Sequence, residues 1–277
     1  MKKYILIILT SLTIQSFSQL PSYEYSPYPR SIPNEGTSVA HKYMGEQRVK
    51  YSKRIHRVID SRMKQNKDIS WPRNPLNKIL YQAVTTGFAD LGKANPYADD
   101  SLRGILTKEE VLEKGSYDSR FQMESPPGSG NYIDSMIPEP FDVSKVVKFR
   151  LMEDWIFDAQ HSDLRPRIIA LAPLYNMVSQ SGIPLGEAAL FWVKMDELRP
   201  ILAQQEIFNK FNDAARLSYD HWFEMRLFAS HIVKESNVYD ADIAHLEAFS
   251  DNGVEALLEA DKIKNDLFVM EHDLWEY

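Results

Sequence analysis

The clearest periodicity in the chain lies between Arg150 and Val233. Leu151, Trp155 and Phe157 alternate with polar positions, as a half-buried strand requires. Gln160 to Asp163 offers a turn, and the apolar run RIIALA (Arg167–Ala172) supplies a second strand, so a β-hairpin is predicted. Leu190–Lys194 predicts a third strand. Asp196 then caps a short helix that Pro200 should break before Ile201–Phe208, because proline removes a backbone donor and clashes one turn back. Ser218 is an N-cap for a helix through Trp222 and Met225, leading into a strand-like Phe228–Val233. Near the C-terminus, Ser250, Asp251 or Asn252 can cap a long helix. Its residues Ile263, Leu267, Met270, Leu274 and Tyr277 recur at four- and three-residue steps, with Gly253, Ala256 and Ala260 extending the stripe. That stripe either docks on its own domain or forms a seam for another subunit. Ile263, Leu267, Met270 and Leu274 are the candidate interface residues.

The first half patterns less cleanly. Tyr51, Ile55, Val58 and Ile59 have helical spacing in a basic background and predict a helix within His41–Lys67. Asn74-Pro75 reads as an N-cap and first helical residue for a helix through Ile79, Leu80 and Val84 to Gly87. Ala94–Asp100 reads as loop, and Thr107–Lys114 as a short helix or strand. Ser116–Pro140, containing PPGSGNY and PEP, reads as a surface excursion. Its GSG lacks the following helix and Lys-Ser/Thr of a phosphate loop. The fold class expected is α+β: a small antiparallel sheet from about residue 150 to 235, with flanking helices and a long C-terminal helix.

The start of the chain adds a compartment. Lys2 and Lys3 precede a short apolar core, Ile5–Ile14, and small residues Ser16 and Ser18, which together read as a signal peptide cleaved before Gln19. The apolar run falls well short of the roughly 20 residues a spanning helix needs. Residues 19–40 form an extended leader with Pro21, Pro27, Pro29 and Pro33, either a flexible tether or a strip lying on a neighbouring surface. The expected organisation is therefore a signal peptide (1–18), a Pro-rich leader (19–40), a helical and loop region (41–140) and an α+β core (141–277). The chain has no cysteine, which removes disulfides, thiolate ligands and a lipidated N-terminal cysteine.

Charge changes the picture further. The whole chain carries a net −7, which argues against nucleic acid as the main partner. Residues 41–73 hold ten Lys/Arg against three Asp/Glu, while residues 235–277 hold two Lys against twelve Asp/Glu. Two readings stand: solvated faces, or opposite-sign surfaces that meet between neighbouring copies.

The reactive residue types do not group into a reaction centre along the sequence. Asp240, Asp242 and His245 could approach a metal, but a zinc site needs a fuller ligand set and supporting partners. Glu271, His272 and Asp273 splay around a helix. Ser218, Asp220 and His221 carry the letters of nucleophilic catalysis, yet neighbours this close cannot align hydroxyl, imidazole and carboxylate in series. Glu109-Glu110 and Asp99-Asp100 lack an apolar pocket that would raise one pKa. Trp155, Trp192, Trp222 and Phe223 read as core. No catalytic, cofactor or metal residue is assigned, and the expectation is a protein that is not an enzyme. The alternative is a secreted hydrolase or glycan-binding module built around those tryptophans.

Longer segments carry a resemblance. LFWVKMDELRPILA (Leu190–Ala203), QEIFN, NDAARLS and FEMRLFASHIVKESNVYD (Phe223–Asp240) resemble the GldN/PorN family of gliding-motility and type IX secretion components. So do PEPFDVSKVVKFRLMEDWIFD (Pro138–Asp158), RIIALAPLY (Arg167–Tyr175) and ALLEADKIKNDLFVMEHDLWEY (Ala256–Tyr277), with RIHRVIDSRMKQN (Arg54–Asn66) matching more loosely. The resemblance implies a non-enzymatic periplasmic ring component of the protein secretion machinery. It implies three partners: a GldK/PorK-like outer-membrane lipoprotein, a GldM/PorM-like motor protein, and homo-oligomeric ring neighbours. The lipoprotein would hold it at the outer membrane, so its membrane contact would be indirect.

Overall fold

The computed structural model describes residues 36–88, 91–114, 116–124, 132–139, 141–178, 184–212, 214–249 and 252–273. The signal peptide, most of the leader, the GSG loop, Ser250, Asp251, Leu274 and Tyr277 lie outside them.

The centre of the fold is the predicted hairpin, longer than its periodicity suggested. Strand β5 (Lys148–Asp158) and β6 (Asp163–Val178) pair antiparallel from Asp158↔Asp163 to Lys148↔Leu174. On the far side of β5 runs β1 (Val49–Asp60), also antiparallel, with Ile55 opposite Glu153 and Ile59 opposite Phe149. β1 is in turn edged by β11 (His231–Glu235). Beyond β6 lie β7 (Pro184–Ala189) and β8 (Trp192–Lys194), and β8 pairs with the two-residue β2 (Pro96–Tyr97). The result is a seven-stranded antiparallel sheet, and the α+β expectation holds.

The helix expected over Tyr51–Ile59 is instead the strand β1. Ile55, His56, Arg57, Val58 and Ile59 are all buried, so the two-residue alternation that marks a half-exposed strand is erased. The surface excursion expected at Ser116–Pro140 contains a regular hairpin, β3 (Tyr117–Glu124) with β4 (Tyr132–Glu139), forming its own two-stranded sheet. A third small ribbon joins β9 (Glu206–Ile207) to β10 (Leu217–Ser218).

Among the described residues, five α-helices accompany these strands. The first, α1 (Leu76–Thr85), starts one residue later than predicted: Pro75 is its N-cap, and Asn74 instead donates from Nδ2 to the carbonyl of Glu206 at 2.9 Å. The ambiguous Thr107 segment is helical, α2 (Lys108–Glu113), because Thr107 and Glu110 satisfy each other's orphan amides in a capping box. Next, α3 (Met195–Gln204) starts from Lys194 with Asp196 in its first turn, and it runs through Pro200 without the predicted break. Proline removes one ladder bond there, while burial of Leu198, Ile201 and Leu202 keeps the helix on the core. The short α4 (Tyr219–Glu224) is capped by Ser218 as predicted, its Oγ accepting from the His221 amide at 3.2 Å. Last comes α5 (Gly253–Asp273), where Asn252 Oδ1 accepts from the Val254 amide at 3.1 Å.

Helices α1, α3 and α4 share one apolar cluster with the sheet, including Leu80, Phe149, Leu151, Phe191, Leu198 and Trp222. Trp222 and Phe223 are fully buried, with their rings 5.0 Å apart and nearly perpendicular. A second cluster joins Ala256, Ala260, Ile263 and Leu267 of α5 to Ile55, Ile232 and Ile243. A third gathers Tyr97, Met152, Ala170, Ala172 and Trp192.

Candidate functional site

The structure disperses most of the sequence's candidate chemistry. Asp240 pairs with Lys234 at 2.7 Å, and that bond to Lys234 holds the carboxyl below its ordinary pKa. Asp242 instead takes both guanidinium nitrogens of Arg150, one of them at 3.0 Å. His245 is exposed at the end of a short 3-10 turn. Each carboxylate therefore already has its cation, and no cluster of metal-ligating side chains forms among the described residues.

Ser218 and His221 do meet, Oγ to Nδ1 at 2.9 Å, which the spacing argument did not expect. Asp220 does not complete the series. It is fully buried and accepts from Arg199 Nε at 2.9 Å. The tryptophans a glycan groove would need are committed as well: Trp192 and Trp222 are buried in separate clusters, and Trp155 packs against the α5 cluster. Of the candidate interface residues, Ile263 and Leu267 face their own domain, Met270 is half-buried, and Leu274 lies outside the described residues.

Two arrangements were invisible in the sequence because their partners are far apart along the chain. The first holds the end of the leader. The amide of Val39 donates to Asp220 Oδ2 at 2.8 Å, and the Val39 carbonyl accepts from Arg199. His41 Nε2 lies 2.7 Å from Glu224 Oε1. The buried Arg199–Asp220 pair thus reads both backbone groups of Val39. Main-chain hydrogen bonds of this kind hold a strip in place without specifying its side chains.

The second is an ionic network threaded through the sheet. Glu153 is wholly buried and meets Arg226 at 3.0 Å and Arg57 Nε at 3.3 Å. Burial pushes the Arg57 guanidinium below its ordinary value, and Glu153 opposes that shift. Arg226 adopts a left-handed φ of 51° and lies over the Trp155 and Phe228 rings at 5.8 and 5.1 Å. Such a conformation costs on the order of 1 kcal/mol for a non-glycine residue and persists only where contacts fix it. On the neighbouring β1 position, His56 is 2 % exposed and packs edge-on to Trp192, 5.8 Å between centroids. Burial, then the nearby Arg150 and Lys234 charges, lower its pKa to about 4. The 4.0 Å approach of His56 to Asp100 is accordingly not an ion pair at neutral pH.

These arrangements hold elements together and leave the surface to make contacts. Among the described residues, α5 exposes Val254, Leu257, Leu258, Phe268 and Val269 on the side away from its buried stripe. Phe211 is 81 % exposed, and Phe208 lies 6.1 Å from Trp71 between ring centroids. The family described as gliding motility associated protein GldN matches the chain over residues 44–276.

The chain belongs to the GldN family.

The GldN match spans every strand and helix described above, from β1 through α5. It begins after Val39 and His41, so the slot formed by Arg199, Asp220 and Glu224 lies within the GldN region while the strap it holds lies outside. No curated protein matches the chain at a significant level. Among the described residues, no helix is long and apolar enough to cross a membrane.

Proposed function

We propose that this GldN-family chain is a non-enzymatic structural component of the type IX secretion and gliding machinery. In this reading it is secreted by its N-terminal signal into the periplasm. There it forms a ring with a GldK/PorK-like outer-membrane lipoprotein, contacts a GldM/PorM-like motor protein, and reaches the membrane only through the lipoprotein. The observation that carries the reading is the family match across the whole sheet and its helices, which associates the chain with gliding motility. The fate of the candidate reactive groups agrees with it: Asp220, Asp240 and Asp242 are each spent on an arginine or lysine that ties one segment to another.

The test is the native mass of the mature chain co-expressed with its lipoprotein neighbour. Co-elution in one large assembly is expected. An unchanged monomer, both alone and with the lipoprotein at high concentration, would overturn the proposal.

A further inference from the structure

The strap at the end of the leader, residues 36–42, is held by its main chain. Asp220 Oδ2 accepts from the Val39 amide at 2.8 Å, and Arg199 Nη2 donates to the Val39 carbonyl. Arg199 Nε also donates to Asp220 Oδ1 at 2.9 Å, so the two buried side chains act as one fork. That fork offers one acceptor and one donor to a single residue, as a neighbouring strand does across a hydrogen-bonded antiparallel pair. Among the described residues, the strap makes no main-chain bond to another main chain. Its side chains are lightly committed: Thr37, Ala40 and Lys42 are exposed, and Ser38, Val39 and His41 are half-buried.

The slot requires an occupant without requiring this one. Empty, it would leave a buried carboxylate oxygen and a guanidinium N–H each short of a partner, a costly state for charged groups. Filled, its two bonds to Val39 touch only main-chain atoms. Two features narrow what fits. The residue in the Val39 position must carry an amide hydrogen, which excludes proline. Two residues on, His41 Nε2 lies 2.7 Å from Glu224 Oε1, and Lys42 then meets His161. His41 is the one histidine within residues 19–48, so its contact with Glu224 fixes the register.

We propose that Arg199, Asp220 and Glu224 form a binding site for a polypeptide segment in trans, which the chain's own strap fills in cis. The segment it takes lacks regular secondary structure, has any residue but proline in the Val39 position, and has a histidine two residues later. The strap is then a resident and replaceable ligand. Residues 40–48 tether it to β1, and a short tether sets a local concentration in the millimolar range. A strap that keeps its place at that concentration binds in trans at millimolar or better, which makes the site measurable.

The mature chain carrying Val39→Pro keeps every slot residue and loses the amide that Asp220 accepts. A fluorescent peptide of residues 36–42 is expected to bind this variant at least about tenfold more tightly than the parent, whose strap competes with the worth of one more hydrogen bond to a charged group. A peptide with Val39→Thr should bind equally well, and one N-methylated at Val39 at least about tenfold less well. A His41→Ala peptide should also bind less well. That penalty should vanish in a chain carrying both Val39→Pro and Glu224→Ala, which places the peptide in the slot. In the parent chain, saturating peptide should release the strap, read as faster exchange of the Val39 amide. No saturable binding at millimolar peptide by a Val39→Pro chain that melts cooperatively overturns the proposal, as does an unchanged Val39 exchange rate in the parent. Equal binding of the N-methylated peptide overturns it as well, because the main chain is then not what is read. A His41 penalty that survives Glu224→Ala puts the peptide elsewhere and removes the site.

Discussion

At the scale of single residues the protein is held by buried charges whose partners lie far away in sequence. Arg199 and Asp220 are 8 % and 0 % exposed in their side chains, so removing one leaves the other charged and desolvated. Asp220→Ala should cost roughly 3 to 5 kcal/mol of unfolding free energy, measurable by denaturant titration. It should also release the strap, read as faster tryptic cleavage after Lys42; unchanged cleavage would show that the Val39 bonds do not hold the leader. His56 gives a pH dependence with a definite sign. Its folded pKa, about 4, lies below the 6.5 of the unfolded chain, so between those values the unfolded state binds more protons. Stability from this residue is fully present above pH 6.5 and falls as pH drops toward 4, by about 3 kcal/mol across the window. Asp60 and Asp158 have depressed values and act only below the ordinary carboxylate range, while His231, lowered by burial and by the nearby Lys148, adds a slope of the same sign in this window. His56→Gln should reduce the slope of the stability profile between pH 6.5 and 4, leaving the part that belongs to His231, and an equal slope in that variant would assign all of it elsewhere.

At the scale of elements, what was legible depended on whether an element has a wet face. β5 keeps half-buried positions at Trp155 and Phe157, so its alternation survived in the sequence, while β6 was legible as the apolar run RIIALA. β1 is dry over Ile55–Ile59 and contains Arg57, whose ion pair is with Glu153, about 100 residues away. Nothing local could report that, although Val49, Ile55, Val58 and Ile59 are the β-branched enrichment of a strand. Pro200 misled for a related reason: a helix rule read locally yielded to the burial of Leu198 and Leu202. The slot around Arg199 and Asp220 was unreadable because Val39 lies 160 and 181 residues from its two partners. In α5 the inner stripe was legible by its spacing and the outer one was hidden among carboxylates. The two predict opposite results. Leu267→Ala should cost about 2 to 5 kcal/mol as a buried truncation, while Phe268→Ser should stay within about 0.5 kcal/mol. Thermal melts of both variants decide it: equal losses would mean that the two faces of α5 are not different.

At the scale of the whole molecule, the sheet is unevenly supported. β5 is paired along its length on both sides, by β1 and β6, and its inner residues lie in the main apolar cluster. Among the described residues, the β3–β4 hairpin pairs only with itself, across eight residues per strand. An isolated two-stranded hairpin is marginally stable in water, so its opening need not involve the rest of the fold. Amide exchange should therefore be hierarchical. Amides of Leu151–Phe157 should exchange only with global unfolding and respond fully to denaturant. Amides of Tyr117–Glu124 and Tyr132–Glu139 should exchange at least tenfold faster, with little denaturant dependence. If the hairpin instead protects as strongly as β5 in the monomer, it is part of the cooperative core and something on its faces holds it there. If protection rises only when the lipoprotein neighbour is added, the hairpin lies at the contact with that neighbour.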